Sequence, residues 1–304
     1  MYDLIIIGGG PAGITAAIYA ARKRLDFAII YKDIGGEIAK TTYIENYTGY
    51  KNVTGEDLTK IFEEHLKMFN PKMIEDQVLS IEKNGKFFKI LTREKIIETK
   101  TILISTGAMP KKLNIPGEKE FASKGVSWCA TCDAPIFAGK DVAVIGAGNT
   151  GLTSVLQLLD IADNVYLINK NPEIKADKIM VEKAKKSPRF KIYNNSLTKS
   201  ISGKKFVESM TFIQEEKEVT LHVDGVFINI GYSPNTSFLQ DLVDMNKFGE
   251  IMIDEKNMTS CPGIFAAGDV TNIPYKQIII AAGDGANAAI AIYDYLAKLD
   301  HANE

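Results

Sequence analysis

Histidine, cysteine and tryptophan are scarce in this chain of 304 residues, at three, three and one. A structural zinc site takes about four Cys or His ligands in paired spacings. Cys129 and Cys132 are one close pair, while Cys261, His65, His222 and His301 are scattered and supply no second, so no metal is expected. Strong charge of either sign is also lacking. Lys+Arg total 36 against 38 Asp+Glu, a net charge of −2, which removes the electrostatic case for nucleic acid or an anionic membrane. No apolar run approaches the ~20 residues of a membrane span. The opening MYDLIIIGGG has no basic segment before its short apolar run, so no secretory signal is expected and a cytoplasmic location is the default.

What is there is an ordinary globular balance, 45% hydrophobic and 24% charged, at a length that suggests two domains. One pattern occurs twice. DLIIIGGGPAGIT runs from Asp3 to Thr15 and DVAVIGAGNTGLT from Asp141 to Thr153. Each is a short apolar strand, then Gly-x-Gly-x-x-Gly, then a helical pattern, with a second strand following at FAIIY (27–31) or NVYLIN (164–169). This is the dinucleotide fingerprint. Its first glycine makes the tight turn, its second lets backbone approach a pyrophosphate, and its third lets helix pack on strand. The helix N-terminus offers free N–H groups to the phosphates. Two copies in the right context predict two dinucleotide sites, one per domain.

Just before the second copy stands WCATCDAP, Trp128 to Pro135. A Cys-x-x-Cys can be half a zinc site, a redox dithiol or an accident. With too few further ligands, and in a reducing compartment, a working redox pair is the better reading. A nicotinamide delivers hydride and a disulfide takes two electrons through thiolate chemistry. A flavin does both, so the setting suggests flow from nicotinamide to flavin to disulfide.

These residues resemble the low-molecular-weight thioredoxin reductase family along essentially the whole chain. The marks are GGGPAG (8–13), GGEI (35–38), IENYTG (44–49), STGAMP (105–110), CATCDAP (129–135), GAGNTG (146–151), GYSPNT (231–236), GIFAAGDV (263–270) and YKQIIIAAGDGANAA (275–289). The resemblance implies an α/β fold of two Rossmann-like dinucleotide-binding domains of the three-layer ββα type, the second inserted in the first. The crossings are expected near 111–116 and 241–248. That gives an FAD domain of residues 1–112 and 245–304, and a nucleotide and dithiol domain of 113–244. The family is usually homodimeric. It rotates the inner domain about the crossings, because one disulfide cannot meet flavin and protein partner at once.

For FAD, the resemblance and the chemistry together point to Gly8, Gly10, Pro11 and Ala12 at the pyrophosphate turn. Gly35, Gly36, Glu37 and Ile38 follow the second strand. Thr106, Gly107, Gly268, Lys276, Gln277 and Ile278 come with the family marks. Asn46 is either a flavin or ribityl contact or an ordinary turn asparagine. Asp269 either accepts from a ribityl hydroxyl or caps a turn. The terminal helix, read as Gln277 to Leu299, packs in the core, and its start is expected beside the flavin; Gly283 and Gly285 would permit close backbone approach. Of the catalytic residues, Cys132 is expected to receive electrons from the flavin and Cys129 to attack thioredoxin's disulfide. Asp133 would handle protons, cap the following helix, or both.

The second nucleotide site is expected at Gly146, Gly148, Asn149, Thr150, Asn169, Lys170 and Lys175. Here the chain departs from the family. NADPH-using members carry His-Arg-Arg-x-x-x-Arg after this strand; this chain reads NKNPEIK, with no arginine, and the acidic residue that would favour NADH is absent from the strand end. Lys170 and Lys175 either substitute for the arginines or are surface lysines. The glycines either still bind pyrophosphate or survive for packing. The donor therefore stays open among NADPH, NADH and ferredoxin or another flavin-level donor. A ferredoxin–NADP reductase-like flavoenzyme is the alternative function, opposed by the cysteine pair. A nucleotide-binding sensor without catalysis is the third, opposed by the intact dithiol and Asp133.

Overall fold

The computed structural model describes residues 1–41 and 44–301, so the last three residues of the expected FAD domain lie outside it. The chain forms two compact units, an outer one of Met1–Met109 with Ser233–Glu304 and an inner one of Pro110–Tyr232.

In the outer unit, β1 (Tyr2–Gly9), β2 (Phe27–Ile34) and β3 (Lys72–Glu75) belong to a parallel sheet. It continues on the other side of β1 with β6 (Ile96–Ile104) and β17 (Ile264–Ala266), giving the order β3-β2-β1-β6-β17. β4 (Val78–Asn84) and β5 (Phe87–Thr92) run antiparallel and join through the start of β6 as a meander. The apolar run of β1 follows from burial on both faces. Ile5 and Ile7 enter one core cluster with Phe88, Ile102 and Ile264. Leu4 and Ile6 enter the other, with α1 (Pro11–Arg22) and the terminal helix α6 (Ile278–His301). Each such side chain contributes about 1.5–3 kcal/mol relative to exposure. Helix α2 (Gly55–Lys67) starts at Thr54, whose hydroxyl accepts the Asp57 N–H at 3.1 Å.

The inner unit repeats the plan. β9 (Asp141–Ile145) is the central strand of a five-stranded sheet. β10 (Asn164–Ile168) and β11 (Phe190–Tyr193) lie to one side of it. β15 (Gly225–Ile228) and β8 (Val126–Ser127) lie to the other, all parallel. Val142 and Val144 face helix α4 (Asn149–Leu159) and α5 (Lys178–Lys185) in one cluster. Ala143 and Ile145 face the antiparallel meander β12 (Ser196–Gly203), β13 (Val207–Gln214) and β14 (Lys217–His222) in the other. A short helix, α3 (Ala130–Asp133), follows β8. The fold is the doubled Rossmann-like α/β architecture, the second copy inserted in the first.

The crossings run through β7 (Ala108–Pro110) and β16 (Tyr232–Pro234). The second lies upstream of the expected 241–248. The reason is packing: Leu239, Val243 and Ile251 are buried in the same cluster as Ile5 and Ile7. At the first, the buried Glu118 carboxylate accepts the N–H groups of Leu113 and Asn114 at 3.0 and 2.6 Å and so ties this stretch into the inner unit. No helix among the described residues is long and apolar enough to cross a membrane. The described residues hold no cluster of three or more Cys, His, Asp or Glu fit for a metal ion.

Candidate active site

The two glycine turns have the same geometry. Gly8 has φ +120°, and a Cβ there would lie 2.2 Å from the Ser105 carbonyl oxygen. Gly146 has φ +110°, and its Cβ would lie 2.3 Å from the Asn229 carbonyl oxygen. The third glycines, Gly13 and Gly151, approach the carbonyl oxygens of Gly8 and Gly146 so closely that a Cβ would stand 1.9 and 1.8 Å away. The middle glycines differ: at Gly10 and Gly148 a Cβ would meet no atom within 4 Å. Each caps its helix, α1 or α4. Both turns thus leave open space over a helix N-terminus, the shape a pyrophosphate needs. Pro11 opens α1 at a position whose N–H has no intrahelical partner to lose.

Of the other candidate FAD residues of the outer unit, Gly35, Gly36, Thr106 and Gly268 lie against this turn. The Gly35 N–H donates to the Gly9 carbonyl at 2.7 Å, and Gly36 sits so that an added Cβ would be 3.7 Å from the Gly10 Cα. Glu37 is exposed, whereas Ile38 is 3% exposed and packs with Ile44 and Leu58. Only the backbone of Ile38 is left for a ligand. Asn46 donates to the Gln277 side-chain oxygen at 3.2 Å, joining two of the predicted residues. Thr106 donates to the Asn235 carbonyl at 2.7 Å, and the Asn235 amide donates back to the Thr106 carbonyl at 2.8 Å. Gly107, φ +66°, borders open space. Gly268 and Asp269 form a short helical turn whose backbone packs on Ala12. Burial pushes the Asp269 carboxyl up to about 6, with Asp284 and Glu37 adding to the rise and Lys276 opposing it. Lys276 is itself held, 3.2 Å from Glu250 and donating to the Thr271 carbonyl. Ile278 begins α6 and packs beside Ile38.

The second turn is more occupied by its own chain. The Asn149 amide donates to the Asp177 carboxylate at 3.3 Å and accepts the Asp177 N–H at 2.9 Å. The Lys175 N–H donates to the Ala147 carbonyl at 3.0 Å, folding the segment after β10 back onto the turn. Asn169 is 2% exposed. Its amide donates to the Glu173 carbonyl and the Asn194 side chain at 3.0 and 2.9 Å, and its oxygen accepts the Asn171 N–H. It shapes the loop, and both of its amide hydrogens are used within the chain. Thr150, Lys170 and Lys175 are exposed.

Cys129 and Cys132 form a disulfide, with Cα atoms 5.3 Å apart. Cys129 caps α3, and its sulfur accepts the Cys132 N–H at 3.2 Å. Such a contact favours a thiolate. Asp133 closes the same turn; burial raises its carboxyl, and a hydrogen bond from Ser127 opposes the rise. That bond is 2.5 Å long. Trp128 packs against the inner core, its indole nitrogen buried. Cys261 is a buried free thiol in the outer unit.

The chain matches the pyridine nucleotide-disulphide oxidoreductase family over residues 2–285. It is 40% identical over 300 residues to an NADH dehydrogenase of Bacillus subtilis (strain 168), covering 98% of this chain and 59% of that protein. It is 41% identical over 301 residues to an alkyl hydroperoxide reductase component of Staphylococcus epidermidis, again 98% of this chain and 59% of the relative. It thus spans about three-fifths of the length of these curated relatives. Among solved structures, the thioredoxin reductase of Streptococcus pyogenes superposes with a TM-score of 0.92 at 37% identity, covering 98% of this chain and 99% of that one. The chain belongs to the pyridine nucleotide-disulphide oxidoreductase family.

Members of this family bind FAD together with a pyridine nucleotide. The open space at Gly10 and the charged groups around Asp269 fit the first. At the second turn Gly148 is equally open, but no arginine of the family's phosphate motif is present. Several residues that shape these sites were not singled out from the sequence. Asp284 accepts the Gly268 N–H and so supports the Asp269 turn. Asn235 clasps Thr106; Ser127 links Asp133 to Cys129. Asn235 lay inside the quoted GYSPNT, and Ser127 two residues before Cys129. Residue type alone does not separate such braces from surface polar groups.

Proposed function

We infer that this protein is a thioredoxin reductase-like flavoenzyme, moving two electrons from a donor to the Cys129–Cys132 pair and on to the disulfide of a thioredoxin or thioredoxin-like protein. The observation that carries this reading is the Cys129–Cys132 disulfide beside a half-buried Asp133, in a chain with two open dinucleotide turns. FAD, when bound, supplies the link between a hydride donor and a disulfide. Gly8, Gly10, Pro11, Ala12, Gly35 and Gly36 would hold its phosphates and ribose by backbone contact, and Asp269 its ribityl chain.

The steps at the dithiol follow from thiolate chemistry. The Cys129 thiolate attacks one sulfur of the partner's disulfide, forming a mixed disulfide and releasing the partner's other sulfur as thiolate. The Cys132 thiolate then attacks the Cys129 sulfur, which restores the intramolecular disulfide and releases the reduced partner. Two electrons leave the pair and two protons join the partner's thiols. Asp133 is placed to pass one of them, its raised carboxyl matched to that task.

For the donor, a specific observation favours something other than strict NADPH use. Asn169 is spent inside its loop, and exposed Lys170 and Lys175 stand where the family motif has arginines. Ferredoxin and NADH are the alternatives. A homodimer, as in the family, completes the reading. The test is Cys132→Ser. The variant should keep its flavin spectrum and lose thioredoxin reduction by at least about a hundredfold, because Cys129 then stays trapped on its partner. Wild-type turnover in that variant overturns the dithiol reading, and absence of flavin bands in the purified protein overturns the enzyme class.

A further inference from the structure

Ser127 ends β8 and is 5% exposed. Its Oγ lies 2.5 Å from Asp133 Oδ2 and accepts the Cys129 N–H at 3.1 Å, with the Cys129 carbonyl oxygen 3.4 Å away. A hydroxyl has one proton and two lone pairs. This one therefore has two acceptors for its proton and a fixed donor on its oxygen.

We propose that Ser127 is a positioning residue of the dithiol, holding Asp133 and the Cys129 backbone in one hydrogen-bonded unit so that Asp133 exchanges its proton without displacing Cys129. The proposal rests on the reading of Cys129–Cys132 as the redox pair. With Asp133 charged, the Ser127 proton points to Oδ2. When Asp133 takes up a proton, its carboxyl O–H donates to Ser127 Oγ, and the Ser127 proton turns to the Cys129 carbonyl. The Cys129 N–H stays on the same oxygen in both states. One proton is relocated and no covalent bond to carbon or sulfur changes.

The surroundings leave Asp133 few other partners. Neither β8, nor the helical turn Ala134–Phe137, nor the packed helix α4 carries a titratable residue, and the strand β15 paired with β8 carries none either. Gln157 of α4 is bonded to Thr131 at 3.2 Å. The Tyr232 phenol donates to the Trp128 carbonyl at 3.4 Å. Burial and the Ser127 hydroxyl are the causes that set the Asp133 carboxyl.

The experiment uses the full chain with its flavin, reduced anaerobically. The rate of Cys129 alkylation by iodoacetamide is followed by mass spectrometry from about pH 5 to pH 9. An inflection that disappears in Asp133→Asn reports Asp133. Ser127→Ala should move that inflection up by about one unit or more, since a hydrogen bond favouring the charged form is lost. Ser127→Thr, which keeps the hydroxyl, should restore it. In the Asp133→Asn background, Ser127→Ala should alter the profile little. A Ser127→Ala inflection within about 0.3 unit of wild type, no Asp133-dependent inflection, or an equal shift in both backgrounds overturns the proposal. Ser127→Gly is the second variant if the alanine variant does not retain flavin. The profile requires no thioredoxin turnover, so loss of the functional reading through Cys132→Ser is a separate result.

Discussion

Asp269 carries the largest electrostatic strain of the candidate flavin turn. An aspartate with the ordinary value of 3.8 is raised here to about 6, chiefly by burial. Between those values the folded state binds more protons than the unfolded chain, so stability falls as pH rises through the window. The sign is opposite to that of a salt-bridged aspartate. The penalty is absent below the unfolded value, complete above the folded one, and about 3 kcal/mol at most from the size of the shift. Asp269→Asn is neutral throughout and should flatten this slope in flavin-free protein, raising urea midpoints at pH 7 more than at pH 4. An unchanged slope across that range would contradict the assignment. Asp269 was legible in the sequence as part of GDV, as were Glu37 and Lys276, but Asp284 was not. Asp284 lies 15 residues further on in a helix and supports the turn only because α6 folds back over it.

At the level of elements, the decisive contact is between α1 and α6. A Cβ on Gly285 would lie 2.0 Å from the Ala12 carbonyl oxygen, so alanine there must push the helices apart. Gly283, two residues earlier, would point its Cβ at nothing within 4 Å. Gly285→Ala should lower stability by about 1–3 kcal/mol and weaken flavin retention. Gly283→Ala should raise the stability of flavin-free protein by up to about 1 kcal/mol through helix propensity. Thermal unfolding of the two variants checks the contrast, and equal effects would remove the close-contact account. The sequence named both glycines as places of close approach; the structure assigns that part to Gly285. Strands and fingerprints were readable because periodicity and glycine spacing are local. The second crossing was misplaced because Leu239 and Val243 look like any apolar residues until the cluster they join is known.

For the whole molecule, the doubled plan was visible in the repeated glycine motif, and the donor was not. The missing arginines at NKNPEIK were plain, yet Asn169 stood among the residues expected at the second nucleotide site. Its buried bonds to Glu173 and Asn194 are set by loop shape, which residue identity does not encode. Arginine grips a 2′-phosphate with a planar fork, and lysine offers a point charge. Anaerobic stopped-flow reduction of the flavin should therefore show a preference for NADPH over NADH below about a hundredfold, ~2.7 kcal/mol. A larger preference with rapid bleaching by NADPH restores the ordinary donor.

The insertion also imposes an order on biosynthesis. The parallel sheet of the inner unit lies wholly between Val126 and Ile228, so it can close while the ribosome is still adding the rest. The outer unit cannot. Its β17 and α6 emerge last, and α6 must dock on an α1 made more than 250 residues earlier. Until then Leu4, Ile6 and the alanine face of α1 lack their cover. A nascent chain halted before Ile264 would hold a finished inner unit and a sticky, half-built outer unit, the kind of surface that chaperones and proteases recognise.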